Sequence, residues 1–450
     1  MCSHRQNRNL EINRRDLMKA AAMGLAGAAG GSSWLPGLGQ ALAASKKQQR
    51  HCIVLWMTGG PTQTDTFDMK PNHANGGQFK EIQTAATGLR FSENMPKLAK
   101  IADQMAVVRS LSTREGDHDR GTYLMHTGHR PGGPIKYPTL GSILSKEIGD
   151  ETSALPSFVS IGTSGAFNQR AYQPGFLGPR FARLRVGENR ETRNAAQLED
   201  TNAYAALGVD DLQPPATVTS AQVGQRVDLL RGLQDRFVKR HAVDATVVHN
   251  TAVQRAIRLM RSEASSAFDL SDESDSVREA YGRGRFGQGC LMARRLVERG
   301  VGVVEVSLGD FGRWDTHQNN FPVVKQLSEE LDAGWSMLMS DLQDRSLLDS
   351  TTIIWIGEFG RTPRINGNAG RDHFPRAWSC VLAGGGIKGG GAYGRTDAGG
   401  TTVEEDQCSE GGVLATLCKA LKIDPDKQNI SELGRPIRLA EGEAVEKLLS

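Results

Sequence analysis

From Leu291 onward the chain alternates strand-length apolar runs with stretches of helical period, and this constrains the fold of the 450 residues more than any other feature. Leu291, Leu296 and Val297 lead to Glu298-Arg299-Gly300, where glycine can close a helix, and Val301 to Val306 follows as an apolar run. Leu327, Leu331, Trp335, Leu338 and Leu342 recur at helical spacing; Thr351 to Ile356 and Trp378 to Ala383 are again strand-like. Continuous apolar runs suit strands buried on both faces. The β-α-β order predicts a mostly parallel sheet covered by helices on each side. Upstream, Ile53 to Met57, Ala106 to Val108 and Ser157 to Ile161 read as strands and Pro138 to Ile148 as a helix. With 38% hydrophobic residues the chain can bury a large core, and residues 44–450 read as one domain. A polar and helical insertion is expected around 180–280, where Arg180 to about Thr217 shows little periodicity. Leu229, Leu233 and Phe237, after the candidate cap Ser220, then predict an amphipathic helical region running towards Ser262 whose apolar side packs inward.

Residues 1–43 read as a twin-arginine signal peptide. Asn13-Arg14-Arg15-Asp16-Leu17-Met18-Lys19 precedes a weakly apolar stretch from Ala20 to Gly31, and Ala41-Leu42-Ala43 resembles a small-x-small processing site. The stretch is interrupted by Gly, Ser and Pro36 and is short for a spanning helix, although an uncleaved anchor is the alternative. The expected location is therefore periplasmic or extracellular, reached through the twin-arginine translocation machinery. Without Cys2 the mature chain holds Cys52, Cys290, Cys380, Cys408 and Cys418, an odd number with no C-x-x-C, and no disulfide is predicted. The balance of 54 basic and 51 acidic residues leaves no field for holding nucleic acid.

Polar constellations follow the strand-like runs. After Val306 comes Leu308-Gly309-Asp310-Phe311-Gly312-Arg313-Trp314-Asp315-Thr316-His317, and in extended backbone Asp315 and His317 point to one side. After Ile356 come Gly357-Glu358-Phe359-Gly360-Arg361-Thr362-Pro363 and Gly370-Arg371-Asp372-His373. Earlier runs lead to Thr62-Gln63-Thr64-Asp65-Thr66-Phe67-Asp68 and to Asp117-His118-Asp119-Arg120. Carboxylate and imidazole groups gathered from four strand ends suit a divalent cation in the crevice beyond the sheet. Plainer roles stand beside this one. Asp65 and Asp68 near a Gly-Pro turn suit backbone capping, and His118 between two aspartates suits a solvated loop. His126 and His129 suit helix ends, and Arg361 suits either a salt bridge with Glu358 or a bidentate grip on phosphate or sulfate.

The combination of Leu55-Trp56-Met57-Thr58-Gly59-Gly60-Pro61, Asp65-Thr66-Phe67-Asp68, Trp314-Asp315-Thr316-His317, Gly357-Glu358-Phe359-Gly360-Arg361-Thr362-Pro363, Gly370-Arg371-Asp372-His373 and Leu382-Ala383-Gly384-Gly385-Gly386 resembles family 1501 of the domains of unknown function. That family is grouped with the alkaline phosphatase and sulfatase superfamily. The resemblance implies a three-layer α/β/α sandwich with a mostly parallel central sheet and a two-metal hydrolytic centre. Carried over, Asp315 and His317 resemble one ligand group, and Glu358 resembles a carboxylate for the other metal. His373 resembles a late ligand with Asp372 beside it, Asp65 the acidic residue after the first strand, and His118 a further ligand. The metal would be zinc, calcium, magnesium or manganese. The nucleophile departs from the superfamily pattern, because no C/S-x-P-x-R run occurs. Thr62, Thr64, Ser112 and Thr113 are the nearby hydroxyls; Thr62 and Thr113 are the candidate catalytic groups with Arg361, and metal-activated water is the alternative.

Three functions fit these residues. One is an exported metal-dependent hydrolase acting on an anionic ester, either a sulfated polysaccharide or a phosphoester. The second is an extracytoplasmic binding or scaffold protein that retains the fold without catalysis. The third is an anchored envelope component that assists a partner complex.

Overall fold

His51–Met57 (β1) is buried along its whole length, as a strand covered on both faces must be. The computed structural model describes residues 49–450 apart from 151, 163–166, 188–202, 210–211, 213, 216, 242–243 and 262, so the expected signal peptide lies outside the described residues. Arg50–Ser450 forms one unit. Its main sheet adds Met105–Leu111 (β2), Phe158–Ile161 (β3), Leu184–Val186 (β4), Val303–Leu308 (β5), Thr351–Gly357 (β6), Trp378–Gly384 (β7) and Gly391–Tyr393 (β8). The strand order is β8-β2-β7-β6-β1-β5-β3-β4. β1 pairs in parallel with β5 and β6, Ile53 lying beside Val304 on one side and Ile353 on the other.

Alternate side chains of β1 divide between two cores. Ile53, Leu55 and Met57 meet Leu291 and Leu296 of Arg285–Glu298 and Leu331, Trp335 and Leu338 of Asn320–Asp344. Cys52, Val54 and Trp56 face the other way, towards Leu124 of His118–Thr127, Leu140 and Ile143 of Leu140–Ile148, and Leu414 and Leu417 of Glu410–Ala420. Taken in chain order, the helices used below are His118–Thr127 (α1), Leu140–Ile148 (α2), Ser220–Arg240 (α3), Asp244–Arg261 (α4), Arg285–Glu298 (α5), Asn320–Asp344 (α6) and Glu410–Ala420 (α7). Helices on both faces of a mostly parallel sheet make the architecture a three-layer α/β/α sandwich, in agreement with the expected fold class.

Four features depart from the sequence reading. β7 runs antiparallel to both of its neighbours, β6 and β2, because no crossover helix separates it from β6. The cap of α3 is Thr219, which forms a capping box with Gln222, rather than Ser220. Leu229, Leu233 and Phe237 do not pack inward: they are 66%, 58% and 55% exposed. Part of the expected insertion also joins the main sheet, as edge strand β4. All five cysteines of the described residues are buried and unpaired. No helix among the described residues is long and apolar enough to cross a membrane.

Candidate metal centre

The parallel strands β1, β2, β5 and β6 end at one edge of the sheet, and antiparallel β7 begins there. The segments around 58–68, 112–118, 309–319 and 358–374 therefore meet at that edge. Two glycines permit the approach. Gly59 has φ +114°, and a Cβ on it would lie 2.6 Å from the amide nitrogen of Asp315; a Cβ on Gly370 would lie 1.9 Å from the carbonyl oxygen of His317. The Asp315 segment is a turn anchored by buried Trp314, its Asp315 amide donating to Gly312 at 2.7 Å, and not the extended backbone expected. Asp315 and His317 converge all the same, with His317 Nε2 3.0 Å from Asp315 Oδ1.

Three imidazoles share one arrangement. His118 Nδ1 lies 2.7 Å from Glu358 Oε1, His317 Nδ1 2.8 Å from Asp372 Oδ1, and His373 Nδ1 2.7 Å from the carbonyl oxygen of Gly116. Each partner is an acceptor, so each Nδ1 carries a hydrogen, and whenever a ring gives up its second proton its Nε2 holds a lone pair. These lone pairs are turned on one carboxylate. His118 Nε2 is 3.2 Å from Asp315 Oδ2, His373 Nε2 is 3.3 Å from Oδ1, and the Nε2 atoms of His317 and His373 are 3.1 Å apart. One ligating atom from each of His118, Asp315 and His373 lies within 4.8 Å of the others. Lone pairs facing one another repel unless a proton or a cation lies between them. Acceptors behind the rings fix histidines in the tautomer that ligates metal. Buried His118 Nε2 makes no aligned hydrogen bond, which fits a donor set for a cation.

Protons compete with a cation for this point. Burial disfavours a charge on His118, but Asp315 and Glu358 outweigh it and raise its pKa to about 9. Burial likewise pushes Asp315 up, yet the bonds from His118 and His373 and the Arg361 charge hold it well below the usual carboxylate range. Asp372 is lowered by its bond with His317.

Other expected site residues are placed differently. Asp65 is fully buried away from this cluster, and its carboxylate accepts from Arg371 Nε and Nη2, both at 2.7 Å, from Asn320 at 2.8 Å and from Thr62 at 3.0 Å. A bidentate guanidinium and two further donors fill its acceptor capacity, so Asp65 ties loops together instead of holding a cation. Thr62 spends its hydroxyl on that carboxylate, and Thr113 is buried with its amide donating to Pro375 at 2.8 Å. Arg361 is also fully buried. It donates to the carbonyls of Gly59, Gly60 and Arg371, lies 2.5 Å from Asp315 Oδ1, and has a pKa lowered by burial, so it braces the loops and does not extend into solvent. Glu358 and Asp372 stand behind His118 and His317. Asp68 accepts from the side chains of Lys70 and Thr396 rather than capping backbone groups.

Arg371, Asn320 and Asn366, which join the segments, and Phe167, which stacks on His118 with ring centroids 4.1 Å apart, did not stand out in the sequence. Arg371 had a signal, since it directly precedes Asp372-His373. The Gly116 carbonyl had none.

No curated protein matches the chain. Among solved structures it is similar to the PsFucS1 sulfatase from Pseudoalteromonas sp., at 12% identity and TM-score 0.40, over 85% of this chain and 70% of that one. It is similar to the lipoteichoic acid synthase LtaP from Listeria monocytogenes, at 9% identity and TM-score 0.38, over 88% and 76% of the two chains. A magnesium-bound mutant of TAB5 alkaline phosphatase aligns at 12% identity and TM-score 0.37, over 84% of this chain and 99% of that one. Residues 49–449 match the family described as "Protein of unknown function (DUF1501)". The chain whose sheet edge gathers His118, Asp315 and His373 thus belongs to the DUF1501 family.

Proposed function

We propose that the protein is an exported, divalent-metal-dependent hydrolase of phosphate or sulfate esters. One observation carries the reading: three imidazoles, each with Nδ1 committed to an acceptor, turn Nε2 towards the single carboxylate of Asp315. His118, Asp315 and His373 would hold the ion, and a donor set rich in imidazole nitrogen suits zinc better than calcium, magnesium or manganese. When bound, such an ion polarises an ester oxygen and acidifies water. The chain's own groups do the rest. Arg361 keeps Asp315 ionised, while Phe167 and Phe359 cover His118 and exclude bulk water from it. His317 is 45% exposed and oriented by Asp372, so its Nε2 can take a proton from the attacking water and, as imidazolium, return it to a leaving oxygen. Thr62 is committed to Asp65, which favours water over that hydroxyl as the attacking group.

The substrate would be an anionic ester, a sulfated polysaccharide or a phosphoester, met outside the cytoplasm after twin-arginine export. A binding protein without turnover is the second reading, favoured by the same commitment of Thr62. Elemental analysis of the purified full chain tests the metal: about one equivalent or more should co-purify and be lost in Asp315→Ala and His373→Ala. No divalent ion, or unchanged content in both variants, overturns the proposal. With metal present, turnover of aryl phosphates or aryl sulfates supports the hydrolase, and silence on the whole panel selects the binding protein.

A further inference from the structure

α3 packs along α4, with Val223, Val227, Gln234 and Val238 half-buried on its inner side. Its outer side carries Leu229, Leu230, Leu233 and Phe237, which are 40% to 66% exposed. At 100° per residue these four side chains occupy an arc of roughly 100°. Charge is segregated around that arc. Arg226, Arg236 and Arg240, all exposed, fall inside it or within roughly 20° of its edge, while exposed Asp228 and Asp235 lie roughly 100° or more away.

We propose that this side of α3 docks on the surface of an anionic phospholipid bilayer. An apolar stripe of about 12 Å, flanked by guanidinium groups, matches a helix lying in the headgroup plane, with leucine and phenylalanine inserted and arginine on phosphate. Long arginine stems can follow the apolar surface while their charged ends reach the headgroups. A second copy of the chain is the poorer fit. Two-fold pairing of the stripe would crowd Arg226, Arg236 and Arg240 against their own counterparts, which an anionic surface instead neutralises. The inference uses no residue of the candidate metal centre and does not depend on its chemistry.

Flotation of the full chain with vesicles tests it. Phosphatidylcholine vesicles containing phosphatidylglycerol should bind about tenfold or more tightly than phosphatidylcholine alone, and added salt should weaken the binding. Leu233→Gln with Phe237→Gln should abolish flotation at unchanged thermal stability, since both side chains are exposed, and Arg226→Glu with Arg236→Glu should remove the preference for the anionic lipid. Absence of flotation by the unaltered protein, or equal flotation by the Leu233/Phe237 variant, overturns the proposal. So does a dimer in solution that the same variant splits while vesicles are ignored, which assigns the stripe to a second copy.

Discussion

Glu358 touches His118, not the point where the ligating atoms converge, and that sets its expected effect. Glu358→Gln preserves the shape but removes the carboxylate behind Nδ1, which should weaken divalent-ion affinity about 10- to 100-fold in a chelator competition titration without unfolding the chain. Asp65 should behave in the opposite way. Asp65→Ala leaves Arg371 as a buried uncompensated charge, at a cost of about 3–5 kcal/mol in urea unfolding. The residue types at this edge were legible in the sequence because each follows a strand run. Their division of labour was not, because it depends on what stands behind each ring. A backbone carbonyl at Gly116 leaves no mark in a sequence, and Asp65 reads the same whether it faces a cation or a guanidinium.

At the scale of the element, α6 was readable from its leucine spacing, since Leu327, Leu331, Leu338 and Leu342 are all fully buried. The direction of β7 was not, because an apolar run pairs equally well either way and only the missing crossover helix tells them apart. α3 misled for a related reason: periodicity reports that a helix has two sides, but not which one is covered. Element packing also carries a pH dependence. Arg294 and Arg295 of α5 bond Glu273 at 2.7 and 2.5 Å. Burial pushes Glu273 up, but these two bonds outweigh it and hold its pKa below the ordinary 4.5. A carboxyl depressed in the folded state stabilises above its unfolded pKa and loses that contribution as pH falls through the folded value. Glu273→Gln should therefore cost about 1–3 kcal/mol at pH 7, with the difference from the unaltered protein closing in unfolding curves taken below the ordinary glutamate pKa.

For the whole molecule, one cation at the sheet edge would tie segments reaching from His118 to His373. Stripping it with a chelator should lower the melting temperature, and restoring it at a hundredfold excess over Kd should return about 2.7 kcal/mol, read by calorimetry with and without metal. The placement of β1 has a consequence of another kind. Cys52 and Ile53 pair with Val303 and Val304, and His51 with Thr351, so the middle strand of the sheet waits for partners ~250 to 300 residues further along the chain. At a synthesis rate of about 5–20 residues per second, a strand that is apolar from Cys52 to Met57 emerges from the ribosome roughly 12 to 50 s before the first of its neighbours exists. The first strand made is among the last to be secured, and until then both of its edges are open to pairing with another copy of the chain.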